Sequence, residues 1–261
     1  MARTPRWNEG NFINGVIEVK LSSWKYFSDY INKEMLNYVT YIYRGHGDSK
    51  WKLEPTLDRK VKSPISILRN RHLNSFKYAI RGRRGRNPAE LHEEEDWWAL
   101  GQHHGLATPL LDWTQSPFVA LFFAAISNLK EGAKSYSVFA LAQSTINKNN
   151  ERILKDNSIK LINSRKPTVK IVKPLTNENS RLVNQSGLFT RGPNNMDIET
   201  WIQTFNEKST AWELIKIIIP NKGIHDCLRY LNRMNINNLT LFPDLSGAAE
   251  FCNKHLEIKT Y

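Results

Sequence analysis

A chain of 261 residues, 40% hydrophobic, is long enough to bury a sizeable core, and 37 lysines and arginines against 25 aspartates and glutamates leave a formal charge of +12. This excludes a disordered or fibrous protein, and no apolar run is long enough for a signal sequence or a bilayer span. Two cysteines without ligand spacing, Cys227 and Cys252, speak for reduced thiols in a cytoplasmic protein rather than a disulfide scaffold, while the positive balance speaks for anionic partners.

A single domain is expected over 1–261, because no glycine-, serine- or proline-rich linker divides the chain. Ser23 is placed to cap a helix whose apolar positions Trp24, Phe27, Ile31 and Met35 follow helical spacing. Residues 39–43 read as a strand ending at Arg44-Gly45, where the glycine can turn the chain. An arginine at a strand end inside the fold needs an anionic partner; Asp112 and a ligand phosphate are the two candidates. A basic insertion follows around 59–87. Ten lysines and arginines lie between Asp58 and Glu90 with no acidic residue among them. Gly82 and Gly85 disfavour a helix around Arg81, Arg83, Arg84 and Arg86, leaving a loop whose arginine forks suit a phosphate backbone. The alternative is a solvated face paired with the acidic run Glu93 to Asp96.

Asn87-Pro88 is expected to open a helix carrying Leu91, Trp97, Trp98 and Leu100. The densest signals lie in GQHHGLATPLLDWTQSPFVALFFAA, residues 101–125. Leu110-Leu111 run into Asp112-Trp113-Thr114, and Ser116-Pro117 supplies an N-cap and a first helical residue. Every residue from Phe118 to Ile126 is apolar, so this helix should be buried on most sides, with His103, His104, Asp112 and Thr114 at the edge of a core. Strands over 136–142 and 168–172 flank a polar insertion, 143–166, that reads as loop with short helical pieces. Residues 214–219 form an apolar strand stopped by Pro220; Ile224, Leu228 and Leu231 form a helix face; Ser246 caps a final helix through Ala249 and Cys252. Strands and helices interleave without the alternation of a doubly wound sheet, so the class is α+β: a mixed or antiparallel sheet with packed helices.

Several chemistries lack their residues. His103 and His104 are adjacent, no third histidine or cysteine stands at metal spacing, and His92-Glu93 lacks the second histidine of a zinc helix, so no metal is expected. There is no phosphate-binding Walker loop, no dinucleotide glycine fingerprint after a strand, and no serine elbow.

Four blocks, YRGHGDSKWKLEPTLDR (43–59), LGQHHGLATPLLDWTQSPFVALFFAA (100–125), RLVNQSGLF (181–189) and LFPDLSGAAEF (241–251), resemble in content and order the FRG domain family, named for an aromatic-Arg-Gly motif. The family pattern reads QHYG where this chain has Gln102-His103-His104-Gly105, and PTRLLDW where it has Ala107-Thr108-Pro109 before the shared LLDW. Pro109 thus replaces an arginine, while Arg44 and Arg181 remain. The resemblance implies a bacterial or phage origin near toxin–antitoxin and phage-defence loci, and with it an antitoxin or chaperone partner and no membrane.

The order of residue types is also similar to that of ADP-ribosyltransferases, which place an Arg or His at the end of a first strand, a hydroxyl- or aromatic-bearing strand before a helix, and a late Glu or Gln. On that likeness Arg44 grips the pyrophosphate or ribose of NAD, which enters as substrate, and Trp113 or Phe189 stacks on nicotinamide. Tyr43, Gly45, Thr114 and Arg181 complete the cofactor site. Asp112 steadies the developing oxocarbenium charge, Gln185 holds a ribose hydroxyl, and His103 or Asp112 takes the acceptor's proton. The expectation is an ADP-ribosyltransferase toxin acting on nucleic acid, RNA favoured, with Arg81, Arg83, Arg84 and Arg86 holding the strand. The alternative is a non-catalytic RNA- or DNA-binding module. Convergence of Arg44, His103, Asp112 and Gln185 on one cleft separates the two.

Overall fold

The computed structural model describes residues 4–86, 88, 90–174 and 180–261. Asn14 and Gly15, at φ 48° and 87°, form the two-residue turn that joins strand β1 (Trp7–Ile13) to its antiparallel partner β2 (Val16–Leu21). The Ser23 hydroxyl accepts from the Lys25 N–H and starts a 3-10 turn that leads into α1 (Phe27–Tyr30) and a π-helical turn, burying Phe27, Tyr30, Ile31 and Met35.

Strand β3 (Tyr41–His46) begins later than expected and runs on through Arg44-Gly45 instead of ending there. Val39 is 90% exposed and outside it. The basic stretch is also less of a loop than its composition suggests: α2 (Thr56–Lys60) and α3 (Ser66–Ala79) occupy most of it, and Gly82 and Gly85, at φ 73° and 83°, make turns in the remaining segment. Asn87 lies outside the described residues. Helix α4 (Glu94–His103) starts well after Pro88, because the Asp96 carboxylate accepts from the Glu93 N–H and fixes the start there.

Strand β4 (Leu110–Thr114) and helix α5 (Pro117–Glu131) follow the sequence reading closely. The Ser116 hydroxyl accepts from the Val119 N–H, Pro117 is the first helical residue, and Ala120, Leu121, Phe122, Ala124 and Ala125 are buried. A Cβ on Gly45 would stand 2.1 Å from the Ala120 carbonyl oxygen and 2.5 Å from the Ala124 nitrogen. The glycine therefore serves the close approach of α5 to β3, and turns nothing.

After β5 (Ser135–Ala142) the polar insertion forms α6 (Gln143–Lys155), a full helix. Its inward stripe is Thr145, Ile146, Asn149 and Ile153, half of it polar, which hides the helical period from a hydrophobicity reading. Then come β6 (Lys170–Val172), α7 (Ser180–Asn184), β7 (Gly187–Arg191), α8 (Ile198–Phe205), β8 (Leu214–Pro220), α9 (Ile224–Arg233), α10 (Asn238–Leu241) and α11 (Leu245–Glu257). The last helix is capped by Asp244, whose carboxylate accepts from the Gly247 N–H at 2.9 Å, and not by Ser246, which lies inside it.

The fold is α+β, with an open mixed sheet in the order β1-β2-β8-β5-β3-β4-β7-β6. Among the described residues only β2 and β8 pair in parallel. Alternation along β8 shows the two faces: Ile215, Ile217 and Ile219 join α5 and α9 in one core, Leu214 joins Ile42, Phe139 and Trp113 in the other, under α6 and α8. A third cluster ties Leu57, Leu73 and Trp98 to Leu110 and Phe189. One junction in the sheet is weak. Strands β3 and β4 meet in a single residue pair, Tyr43 with Thr114, and diverge on either side of it. Among the described residues no helix is long and apolar enough to cross a membrane.

Candidate functional site

The seam between β3 and β4 opens into a cleft of about 420 Å³. Arg44 reaches across it: Nη1 donates to the Asp112 carbonyl oxygen at 2.7 Å and meets the Asp112 carboxylate at 3.4 Å, while Nε donates to His46 Nε2 at 2.9 Å. A side chain thus spans the seam where the backbone ladder has parted. The ion pair is loose, since 62% of the Asp112 side chain is exposed against 21% of Arg44. Nη2 of Arg44 has no partner among the described residues, so part of its fork stays available to an anion. Of the two partners foreseen for Arg44, Asp112 is present and does not use the guanidinium up.

His46 was not foreseen in the sequence. It is 5% exposed and packs against the rings of Trp51 and Phe139. Because an arginine Nε can only donate, His46 Nε2 must accept, so the ring is neutral and its proton is on Nδ1. Burial pulls the pKa down to about 3, helped by the Arg44 charge. Desolvation pulls the Arg44 pKa down as well, opposed by Asp112.

All four residues expected to act in chemistry line this one cleft: Arg44, Asp112, His103 at the end of α4, and Gln185 just after α7. The Gln185 side-chain amide donates to the Leu241 carbonyl at 3.1 Å, a structural bond, while its Oε1 has no partner among the described residues. Of the residues expected to hold a cofactor, Tyr43 lines the cleft with its hydroxyl pushed up to about 12 by burial. Arg181 lines it too, already paired with Asp244 (2.6 Å from Nε) and stacked 5.2 Å from the Phe242 ring. Trp113 and Phe189 border the cleft but are 3% and 2% exposed; the Trp113 indole donates to Thr190 at 2.8 Å. Both are core residues in this structure, and neither presents a free ring face to a ligand. Thr114 is spoken for as well, donating to the Gln185 carbonyl at 2.6 Å. Gly45 contributes only its backbone, as its missing side chain is filled by α5.

The cleft also holds residues the sequence reading passed over. Glu54, Lys52 and Arg59 follow β3, Gln102 precedes His103, and Phe123 and Phe242 supply apolar walls. Glu54 and Arg59 lie within the block 43–59 and were open to notice on that ground. Phe242 lies within the block 241–251 and was open to notice on the same ground. Among the described residues no group of three or more His, Cys, Asp or Glu side chains is arranged to hold a metal ion.

Residues 39–133 match the family model of the FRG domain. Over that segment the chain is similar to the FRG domain. The match takes in β3, α2 to α5 and β4, so the matched segment supplies Arg44, His103 and Asp112, both sides of the seam. Arg181, Gln185 and Phe242 come from beyond it, although the resemblance was expected to continue through 181–189 and 241–251. No curated protein and no solved structure matches the chain.

The arginine loop lies away from the cleft at the other end of α4. Arg84 and Lys77 stack on Trp97 at 5.6 and 4.9 Å, and Arg81 stands 5.0 Å from the Tyr78 ring. Six residues separate Trp97 from His103, about 9 Å along the helix axis. The following acidic run is occupied elsewhere: Glu94 and Glu95 bind Arg191 at 2.8 and 3.1 Å, and Glu95 binds Lys170 at 3.3 Å. Arg69 leaves the surface altogether, 4% exposed and 2.6 Å from the buried Asp58.

Proposed function

We propose that this protein is an ADP-ribosyltransferase that cleaves NAD in the seam cleft and passes the ADP-ribosyl group to a nucleic acid, RNA favoured, as a toxin in phage defence or a toxin–antitoxin pair. The observation that supports this most is the convergence of Arg44, His103, Asp112 and Gln185 on one cleft whose size falls in the usual range for small-molecule sites. The free edge of the Arg44 fork, with Arg59 beside it in the wall, suits a pyrophosphate. Departure of nicotinamide leaves positive charge on the ribose, and two carboxylates in the cleft, Asp112 and Glu54, are of the sign to stabilise it. Gln185 Oε1 is placed to accept from a ribose hydroxyl. His103 or Asp112 takes the proton of the acceptor. The walls Phe123 and Phe242 take over the apolar role first expected of Trp113 and Phe189.

A nucleic-acid acceptor is favoured by the exposed Arg81, Arg83 and Arg86, with the partly buried Arg84 among them, at the far end of the helix that delivers His103. The test is incubation with NAD labelled in its adenylate phosphate, together with cellular RNA, DNA and protein. Label should pass to RNA and nicotinamide should be released. Arg44→Lys should remove both while the folded circular dichroism spectrum persists, because an ammonium cannot reproduce the fork. No label transfer to any acceptor, with RNA still bound, would instead support the non-catalytic binding module.

A further inference from the structure

A second cavity, about 200 Å³, lies outside the seam cleft and shares no residue with it. Arg69 of α3, Lys170 of β6, Arg191 at the end of β7, and Arg165 and Lys166 from the loop before β6 all line it. Three carboxylates balance part of this charge: Asp58 on Arg69, and Glu94 and Glu95 on Arg191, with Glu95 also on Lys170. These three carboxylates, with Asp156 within electrostatic reach of Lys166, leave the five cations in excess. The Arg165 guanidinium has no hydrogen-bond or ion-pair partner among the described residues, and Lys166 Nζ donates only to the Asp156 carbonyl.

Arg69 supplies a second, independent observation that points to an anion. It is 4% exposed, with Nη1 on Asp58 at 2.6 Å and Nη2 on Asn195 at 2.9 Å, yet its Nε has no partner. Buried donors in folded proteins are nearly always met, so an orphan on the strongest donor of a cationic pocket calls for an acceptor. The Thr168 hydroxyl and the Asn70 and Asn194 amides add neutral polar groups to the wall.

We propose that this pocket binds a phosphate monoester dianion, from either a free nucleotide or the 5′ end of a nucleic-acid strand. The excess of positive charge favours the more highly charged monoester over a backbone diester, which carries a single charge. The volume admits a phosphate with part of its sugar, about half of what the seam cleft offers. Arg165 and Lys166 close over the anion from the surface, and the Arg69–Asp58 pair holds the deeper wall rigid. The site stands independently of the reading of the seam cleft.

Calorimetric titration of the full chain with adenosine 5′-monophosphate, inorganic phosphate and adenosine tests it. The first two should bind and adenosine should not. Arg165→Ala with Lys166→Ala, both near the surface and so compatible with folding, should weaken binding at least tenfold. Lys20→Ala with Lys25→Ala, two exposed lysines in neither cavity, removes the same charge elsewhere and should change it less than twofold. Absence of binding to the unmodified protein, or equal binding by the Arg165 and Lys166 variant, overturns the proposal. A 5′-phosphorylated RNA oligomer that binds tenfold better than its 5′-hydroxyl twin assigns the strand end as the source; equal binding of the two, with nucleotide still bound, assigns the free nucleotide.

Discussion

His46 makes a prediction whose size follows from its environment. It is nearly water-free, accepts from Arg44 Nε, and faces the charges of Arg44, Arg59 and Lys216, so its pKa falls from 6.5 to about 3. The unfolded chain takes up this proton near pH 6.5 and the folded chain only near 3. Through that window the unfolded state binds more protons, so stability falls as pH drops through it and is unaffected above it. Each unit below 6.5 costs about 1.36 kcal/mol, so at pH 5 the loss from this one ring is about 2 kcal/mol. Substitution His46→Gln keeps an acceptor for Arg44 Nε and removes the titration. Urea unfolding at pH 7.5 and pH 5 should therefore show the wild type losing about 2 kcal/mol more than the variant, or about 4–8 °C in Tm for a chain of this size. The rest of the chain is common to both proteins and cancels. Equal acid losses in the two would mean that His46 is not held neutral, and the tautomer inferred from the Arg44 bond would fall with it.

Gly45→Ala forces a methyl against the Ala120 carbonyl and the Ala124 nitrogen, both backbone, and should cost about 1–3 kcal/mol or more in chemical unfolding; a loss under 0.5 kcal/mol would show that α5 does not need its close approach. Replacing Arg81, Arg83, Arg84 and Arg86 by alanine should flatten the salt dependence of nucleic-acid binding by roughly one unit of log slope per lost phosphate contact, read by filter binding at several salt concentrations, and an unchanged slope would reduce the loop to a solvated face. Its effect on ligand affinity at Arg44 should be small, because none of these arginines lines the seam cleft and exposed charge is screened over about 10 Å at ordinary salt.

What could be read from the chain depended on whether a local signal existed. Ser116-Pro117 and the apolar run after it specify α5 without help from tertiary structure, and α5 forms as written. The Asn14-Gly15 turn was just as legible, with apolar residues on both sides, and simply went unread. Helix α6 was hidden because its buried stripe uses Thr145 and Asn149. The residue types in the cleft were visible in the sequence, but the rotation of each was not. Trp113 alternates with Asp112 on β4, so one faces the core and the other the opening; which is which depends on the neighbours of the strand, β3 and β7. His46 lies in the block 43–59, but its role depends on the Arg44 side chain turning back along its own strand, which no residue type announces.

The matched segment, 39–133, holds both strands that border the seam and the helix α5 packed on β3, but not the strands that carry their ladders. Strand β3 gets its six-residue ladder from β5, and β4 its five-residue ladder from β7, both encoded after residue 133. Excised alone, the segment would keep a single pair between its two strands and expose the open edges of each. In this chain the matched stretch is therefore not an autonomous unit. Grafting or truncation at its borders should yield an insoluble or unfolded fragment, and any portable version must carry the chain through β8, where the last supporting strand is laid down.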